Sequence, residues 1–360
     1  MEPREFFIED RLEGYRNEAF CNLGESGLKC QNLGEVMEMA EISILEIQNL
    51  PLNDSPNQGS YELRNEVARL YPGVEPEEIL ITTGTGEALY LAFHLLIKPG
   101  KKFSVLWPSF QALYEIPQML GGFPHPIQVN GELKSEMWKG LPVDLHIINH
   151  PHNPTGQSFS DSEWDDLLLF LDKENTTTIF DEHYRFLPRF GGMGRTGVNP
   201  KRGLFGTGSF TKCFGVTGLR VGWLIADREF IKRARSFKDY LTHTVSPISE
   251  CLAIGLLKNR NNFLPKIQSN LKNNLDYFES VVMDLPKVIS YKPIFGGLVG
   301  WLGLEEGTLS EDYADKLYEK TGVFVLPGKN FETEGFLRVG FGEEPNRFQE
   351  GILRWLECRI

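Results

Sequence analysis

Short apolar runs alternate with stretches of helical spacing through the middle of the chain. "EILITTG" (78–84), "KFSVLWP" (102–108), "DLHIINHP" (144–151), "TTIFDE" (177–182) and "WLIAD" (223–227) read as strands. "GEALYLAFHLLI" after the first of them and "SEWDDLLLFLDKEN" (162–175) read as helices. Strand–helix alternation predicts an α/β domain with a mostly parallel sheet. Several strands end in polar or glycine residues, and in open α/β sheets ligands bind at the strands' carboxyl ends.

From about Glu229 the pattern changes. One long helical stretch is read through Phe237, Tyr240 and Leu256, followed by the amphipathic "KIQSNLKNNLDYFESVV" (266–282). Strand-like "GGLVGWLGL" and a last helix, "PNRFQEGILRWLECRI", follow. The expected organisation is a large domain over 41–240 and a smaller α+β domain over 241–360, with the N-terminal segment 1–40 packed on the smaller one.

Composition narrows the function classes. The 360 residues are 41% hydrophobic and 24% charged, enough for a large core or two smaller ones. A net charge of -12 argues against nucleic acid or an anionic membrane as partner. The 5 cysteines form no CxxC pair, and the opening residues are charged throughout with no secretory apolar core. No apolar run reaches the roughly 18 residues that span a bilayer. A cytoplasmic chain is expected, and no metal-ligand pattern is read.

The chemistry concentrates around Lys212, in "GSFTKCFGVTGLRVGW" (208–223). A Schiff-base lysine needs an aldehyde, a dock for the aldehyde's carrier, and neighbours that keep its amine from permanent protonation. In "ITTGTGEAL", Gly84, Thr85 and Gly86 stand between a strand and a helix, where free N–H groups and the helix dipole favour an oxyanion. In "NHPHNPTG" (149–156), Asn153 precedes a Pro-Thr-Gly turn and offers an amide to a phenolic oxygen. In "FDEHYRF" (180–186), Asp181 ends a buried strand, where a carboxylate keeps a pyridine nitrogen protonated and the ring an electron sink. Taken singly, the glycine turn is a common turn, Asp181 a helix N-cap and Arg338 a surface ion pair.

Together, from about Ser55 to the C-terminus, these motifs resemble the class I/II aminotransferase family, the fold type I pyridoxal-phosphate enzymes. The pattern S-x-x-K-x-x-G-x-x-G-x-R-x-G is met from Ser209 to Gly222 at every fixed position. The resemblance implies a mostly parallel seven-stranded sheet in the large domain and pyridoxal 5'-phosphate as cofactor. It makes Lys212 the Schiff-base lysine and proton shuttle, and Asp181 the partner of the pyridine nitrogen. Asn153 and Tyr184 would bond the ring's 3-oxygen, and Phe110 in "WPSFQALY" would stack on the ring. Thr85, Gly86, Ser209 and Arg220 would hold the phosphate, with Gly84 opening the turn. Arg338 in "FLRVGFG" would clamp the α-carboxylate of an amino-acid substrate bidentately. A homodimer with shared active sites is also implied.

Two departures bear on the reaction. Family members place a tyrosine that reaches the neighbouring subunit's phosphate near "PLNDSPNQGSYELR" (51–64), and here Asn53 and Asp54 occupy that neighbourhood, with Tyr61 the alternative. An acid or amide there suggests a cationic substrate side chain. The N-terminal "FFIEDRLEGYRNEAFCNLGESGLKCQNLGEV" resembles capreomycidine synthase-type arginine cyclases, most closely in "SGL…LGEV" (26–36), which sets Ser26 and Gly27 at the substrate. Glu9, then Asp10 and Glu25, become guanidinium partners on that resemblance; otherwise they are solvated charges on a short amphipathic helix. The first reading is dehydrative cyclisation of a hydroxylated arginine to a cyclic guanidino amino acid such as capreomycidine or enduracididine. The second is an ordinary aminotransferase using an oxo-acid acceptor. A non-catalytic regulator on this fold is disfavoured by intact Lys212, Asp181 and Arg338.

Overall fold

Alternate residues of the central strands go to opposite faces of one sheet, and that alternation sets the layers. Leu80, Val105, Ile147, Ile179, Phe205 and Leu224 join one apolar cluster. Ile81, Leu106, Ile148, Phe180, Leu204 and Trp223 join another. Helices Thr85–Leu96 and Arg228–Lys238 cover the first face with Leu89, Phe93, Ile231 and Ala234. Helices Tyr61–Ala68 and Asp161–Glu174 add Leu63, Val67, Trp164 and Leu167 to the second cluster. Cover on both faces lets Leu145–Asn149 be buried at every position.

The computed structural model describes residues 2–359. Its 7-stranded sheet runs Ile79–Thr82, Gly222–Ile225, Leu204–Gly208, Thr177–Asp181, Leu145–Asn149, Lys102–Trp107, Phe123–Gln128. Gly222–Ile225 is antiparallel to both neighbours and the remaining pairs are parallel. This is the mostly parallel seven-stranded sheet that the resemblance implies.

A 4-stranded antiparallel sheet follows in the chain, ordered Leu326–Pro327, Phe336–Gly340, Val299–Leu304, Val288–Tyr291. The N-terminal segment joins this part of the molecule. Cys21–Asn22 pairs in parallel with Val323–Phe324, and Gly340 N–H donates to the Leu23 carbonyl at 2.7 Å.

Three features differ from the sequence expectation. The single helical stretch from Glu229 onward is two helices, Arg228–Lys238 and Pro247–Val281. Pro247 takes the second helix's first turn, where its missing N–H costs nothing, and His243 in the gap has φ 59°. Two strands of the seven-stranded sheet were not anticipated. Phe123–Gln128 carries Pro124 and Pro126 and lies at the sheet edge, and Leu204–Gly208 contains two glycines. No helix among the described residues is long and apolar enough to cross a membrane, and among them no cluster of three metal-ligating side chains occurs.

Candidate active site

Strand register assembles the centre. Asn149 pairs with Asp181, and Asp181 with Thr207, across three adjacent parallel strands. In-register residues share a face, so all three polar side chains meet at the strand ends. Asn149 Nδ2 donates to Asp181 Oδ2 (3.1 Å), and Thr207 Oγ1 donates to Oδ1 (3.2 Å). His183 Nδ1 stands 3.2 Å from Oδ2. Asn149 Oδ1 also accepts from the Asn153 backbone N–H at 2.7 Å, tying the Pro-Thr-Gly turn to the same row.

Lys212 is partly buried, and its amine donates to Ser26 Oγ at 2.7 Å. Burial, then the nearby Arg338 guanidinium, pull the amine below its ordinary value, while Glu9, Glu25 and Asp181 oppose them. A lowered value increases the unprotonated amine available to attack a carbonyl. The Lys212 amine lies 5.7 Å from the Phe110 ring centroid, and the Leu28 N–H donates to the Lys212 carbonyl. Tyr184 donates its hydroxyl to the Ser26 carbonyl at 2.7 Å. Ser26 and Gly27 thus lie against Lys212.

The turn before helix Thr85–Leu96 has the shape of an anion cup. Gly84 has φ +81°, and a Cβ there would lie 2.6 Å from Arg220 Nη2. Arg220 itself adopts a left-handed φ of 51°, which is strained for a non-glycine residue and lays its guanidinium on the Gly84 turn. The first-turn N–H groups of Thr85 and Gly86 have no helical acceptor. Ser209 is buried at the cup, with its hydroxyl donating to the Val221 carbonyl and paired with Thr211. It must exchange those partners to serve a phosphate.

Arg338 lies 1% exposed on the antiparallel sheet. Its Nη1 donates to Asn153 Oδ1 (3.1 Å) and its Nη2 to the Gly24 carbonyl (2.5 Å), while Nε is buried without a partner. Burial holds its pKa below the arginine value. With Oδ1 of Asn153 taken by Arg338, the amide NH2 is left for an acceptor such as a phenolic oxygen. Phe110 is partly buried, its centroid 5.6 Å from that of Phe6.

Glu9 lies on the helix Phe7–Glu13, and Arg16 bridges it to Glu25, with Nη2–Oε2 3.2 Å and Nε–Oε1 2.7 Å. Glu13 adds a third carboxylate at 3.5 Å. Asp10, Asn53, Asp54 and Tyr61 are exposed and outside these contacts. Sequence reading did not assign Asn149, Thr207 or His183 to Asp181, nor Arg16 to the acidic pair. Only strand ends and local charge mark these residues in the sequence, and neither says which groups meet.

The cup, the ringed carboxylate and the amine fit a phosphorylated pyridoxal. Residues 28–352 match the family model described as aminotransferase class I and II. An aspartate aminotransferase from Sulfurisphaera tokodaii is 27% identical over 83% of this chain and 80% of its own length. Capreomycidine synthase from Streptomyces vinaceus is 25% identical over 96% of this chain and 91% of its own. Among solved structures, the PLP-dependent cyclase OrfR superposes with a TM-score of 0.90 at 21% identity, covering 99% of this chain and 98% of that one. The chain thus belongs to the aminotransferase class I and II family, as an enzyme whose cofactor is pyridoxal 5'-phosphate.

Proposed function

We propose that the enzyme cyclises a hydroxylated arginine with loss of water, as a cytoplasmic homodimer with shared sites. The observation that carries this reading is the acidic pair on the N-terminal segment. Glu9 and Glu25 already grip one guanidinium, that of Arg16, and both carboxylates act electrostatically on Lys212 and Arg338. With Glu13, three carboxylates face one cation. A substrate held by its α-carboxylate at Arg338 would meet a negative field at its far end, which favours a guanidinium and repels a second carboxylate.

Bound pyridoxal phosphate supplies the electron sink that makes the α-proton acidic. Lys212 takes that proton, Arg338 holds the α-carboxylate, and the acidic pair holds the guanidine beside the carbon that loses hydroxide. The C–O bond breaks, a C–N bond forms within the same molecule, and one water leaves. Holding both reacting ends on one protein replaces a bimolecular encounter. A transaminase is the second reading, favoured by the aspartate aminotransferase relative. The homodimer reading is supported by the exposed apolar segment around Ile44, Leu45 and Leu52.

A substrate panel with and without an oxo acid separates the two. β- or γ-hydroxyarginine in deuterated water is expected to yield a cyclic, deuterium-labelled amino acid with no acceptor present. Product that forms only when an oxo acid is supplied assigns the enzyme to transamination. Glu9→Gln is expected to raise KM for the guanidino substrate by about tenfold while leaving cofactor affinity in place, from loss of a charge-assisted hydrogen bond. An unchanged KM returns Glu9 to a surface role.

A further inference from the structure

We infer that His183 is a positioning residue for Asp181, fixing the carboxylate that faces the cofactor's pyridine nitrogen; this rests on the assignment of Asp181 to that nitrogen.

The carboxylate is 2% exposed and has about four lone-pair sites. Asn149 Nδ2 and His183 Nδ1 address Oδ2, and Thr207 Oγ1 addresses Oδ1. Oδ2 is therefore doubly engaged, and Oδ1 keeps the spare site for a ring N–H. Two donors on one oxygen, from different sides of the chain, stop the carboxylate from rotating. The Asn149 amide is shared, since its Nδ2 also donates to the Asp181 backbone carbonyl at 3.1 Å, and His183 supplies the second hold on Oδ2.

The His183 ring packs with its centroid 4.0 Å from that of the Tyr184 ring, a contact that an apolar side chain also makes. The ring is buried, and Nε2 has no hydrogen-bond partner, so its polarity is uncompensated on that side. A leucine fills similar space without that cost. The contact with Asp181 is what the imidazole adds, and it requires the tautomer with the proton on Nδ1. The backbone of His183 is also fixed. Its carbonyl accepts from Cys213 Sγ at 3.1 Å, and Cys213 follows Lys212 directly. One residue thus ties the strand end that would face the pyridine nitrogen to the segment carrying the Schiff-base amine.

The test uses holoenzyme loaded with pyridoxal phosphate labelled with 15N in the ring. His183→Leu keeps the volume and removes the donor, and His183→Asn places an amide N–H near the position of Nδ1. His183→Leu should move the ring 15N resonance toward neutral pyridine. Cofactor loss on dialysis should be faster by about tenfold, the effect of one hydrogen bond to a charged group. The kcat should fall with little change in KM, and His183→Asn should restore the resonance. A wild-type resonance in His183→Leu overturns the inference, as does an Asn variant that behaves like Leu, since that pattern reports packing. Asp181→Asn separates the underlying assignment. If that variant also leaves the resonance unmoved, Asp181 does not face the ring nitrogen; if it alone moves the resonance, only the role of His183 is wrong.

Discussion

Asp181 and Glu182 are consecutive carboxylates with opposite surroundings. Asp181 meets Asn149, Thr207 and His183. Glu182 turns away, 2% exposed, accepting from the Gly197 N–H (2.8 Å) and the Thr196 hydroxyl, with Arg185 at 3.6 Å. Burial outweighs these partners and pushes the Glu182 carboxyl up to about 7. The folded chain then binds a proton that the unfolded chain releases at an ordinary carboxyl value. Between about pH 4.5 and 7 the folded state holds more protons, so the Glu182 contribution to stability is full below that window and is lost as pH rises through it. The whole swing is roughly 3 kcal/mol. Urea midpoints of wild type and Glu182→Gln should diverge across the window, the wild type losing more toward neutral pH. Parallel pH profiles of the two proteins would show that Glu182 is ionised throughout.

At the scale of elements, the cup formed by the Gly84 turn and Arg220 depends on one strand running against its neighbours. Gly222 opens that antiparallel strand, and a Cβ on it would stand 2.5 Å from the Gly84 carbonyl carbon and 2.6 Å from Thr85 N. The close approach brings Arg220 against the turn that opens helix Thr85–Leu96. Gly222→Ala should push the turn outward, costing about 1–3 kcal/mol of stability as overpacking does. Pyridoxal phosphate affinity, read by fluorescence titration, should fall at least tenfold; unchanged affinity would mean that the cup tolerates displacement. The residues of this turn and Arg220 could be singled out in the sequence because they lie in two short motifs, whereas their meeting is seen only in the fold. The strands of 78–84, 102–108, 144–151 and 177–182 were legible too, as apolar runs stopped by polar residues. Phe123–Gln128 was not, since an edge strand tolerates prolines that a central strand excludes. The gap after Lys238 was hidden by apolar Tyr240 and Leu241, which fit a helical spacing but are exposed in a loop. The ring of donors on Asp181 needed strand register, because Asn149 and Thr207 come from strands on either side of it. The Arg16 bridge needed the path of a loop that no periodicity describes.

The whole molecule leaves an apolar stretch without cover. Helix Ile44–Gln48 buries none of its residues, Leu45 is 64% and Leu52 75% exposed, and the segment runs straight into Asn53 and Asp54. Tyr240 is 87% exposed in a loop that is anchored at both ends: Asp239 accepts from Asn57, and Thr242 donates to Glu87 in the first turn of the cup helix. Apolar side chains left in the open, with the Tyr240 loop fixed at both ends, suit burial against a second copy. If the partner's 53–54 segment completes each site, mutations on the two sides should complement. Lys212→Ala and Asp54→Arg chains, each expected to be inactive alone toward a cationic substrate, are co-expressed with different tags. Hybrid dimers hold one site with both intact Lys212 and intact Asp54, contributed by different chains. Random pairing makes half the dimers hybrid with one competent site in two, so about one quarter of wild-type activity should return. If Asp54 serves the site of its own chain, every site in the mixture carries a defect and no activity returns. Full activity of Asp54→Arg by itself would remove Asp54 from the site altogether.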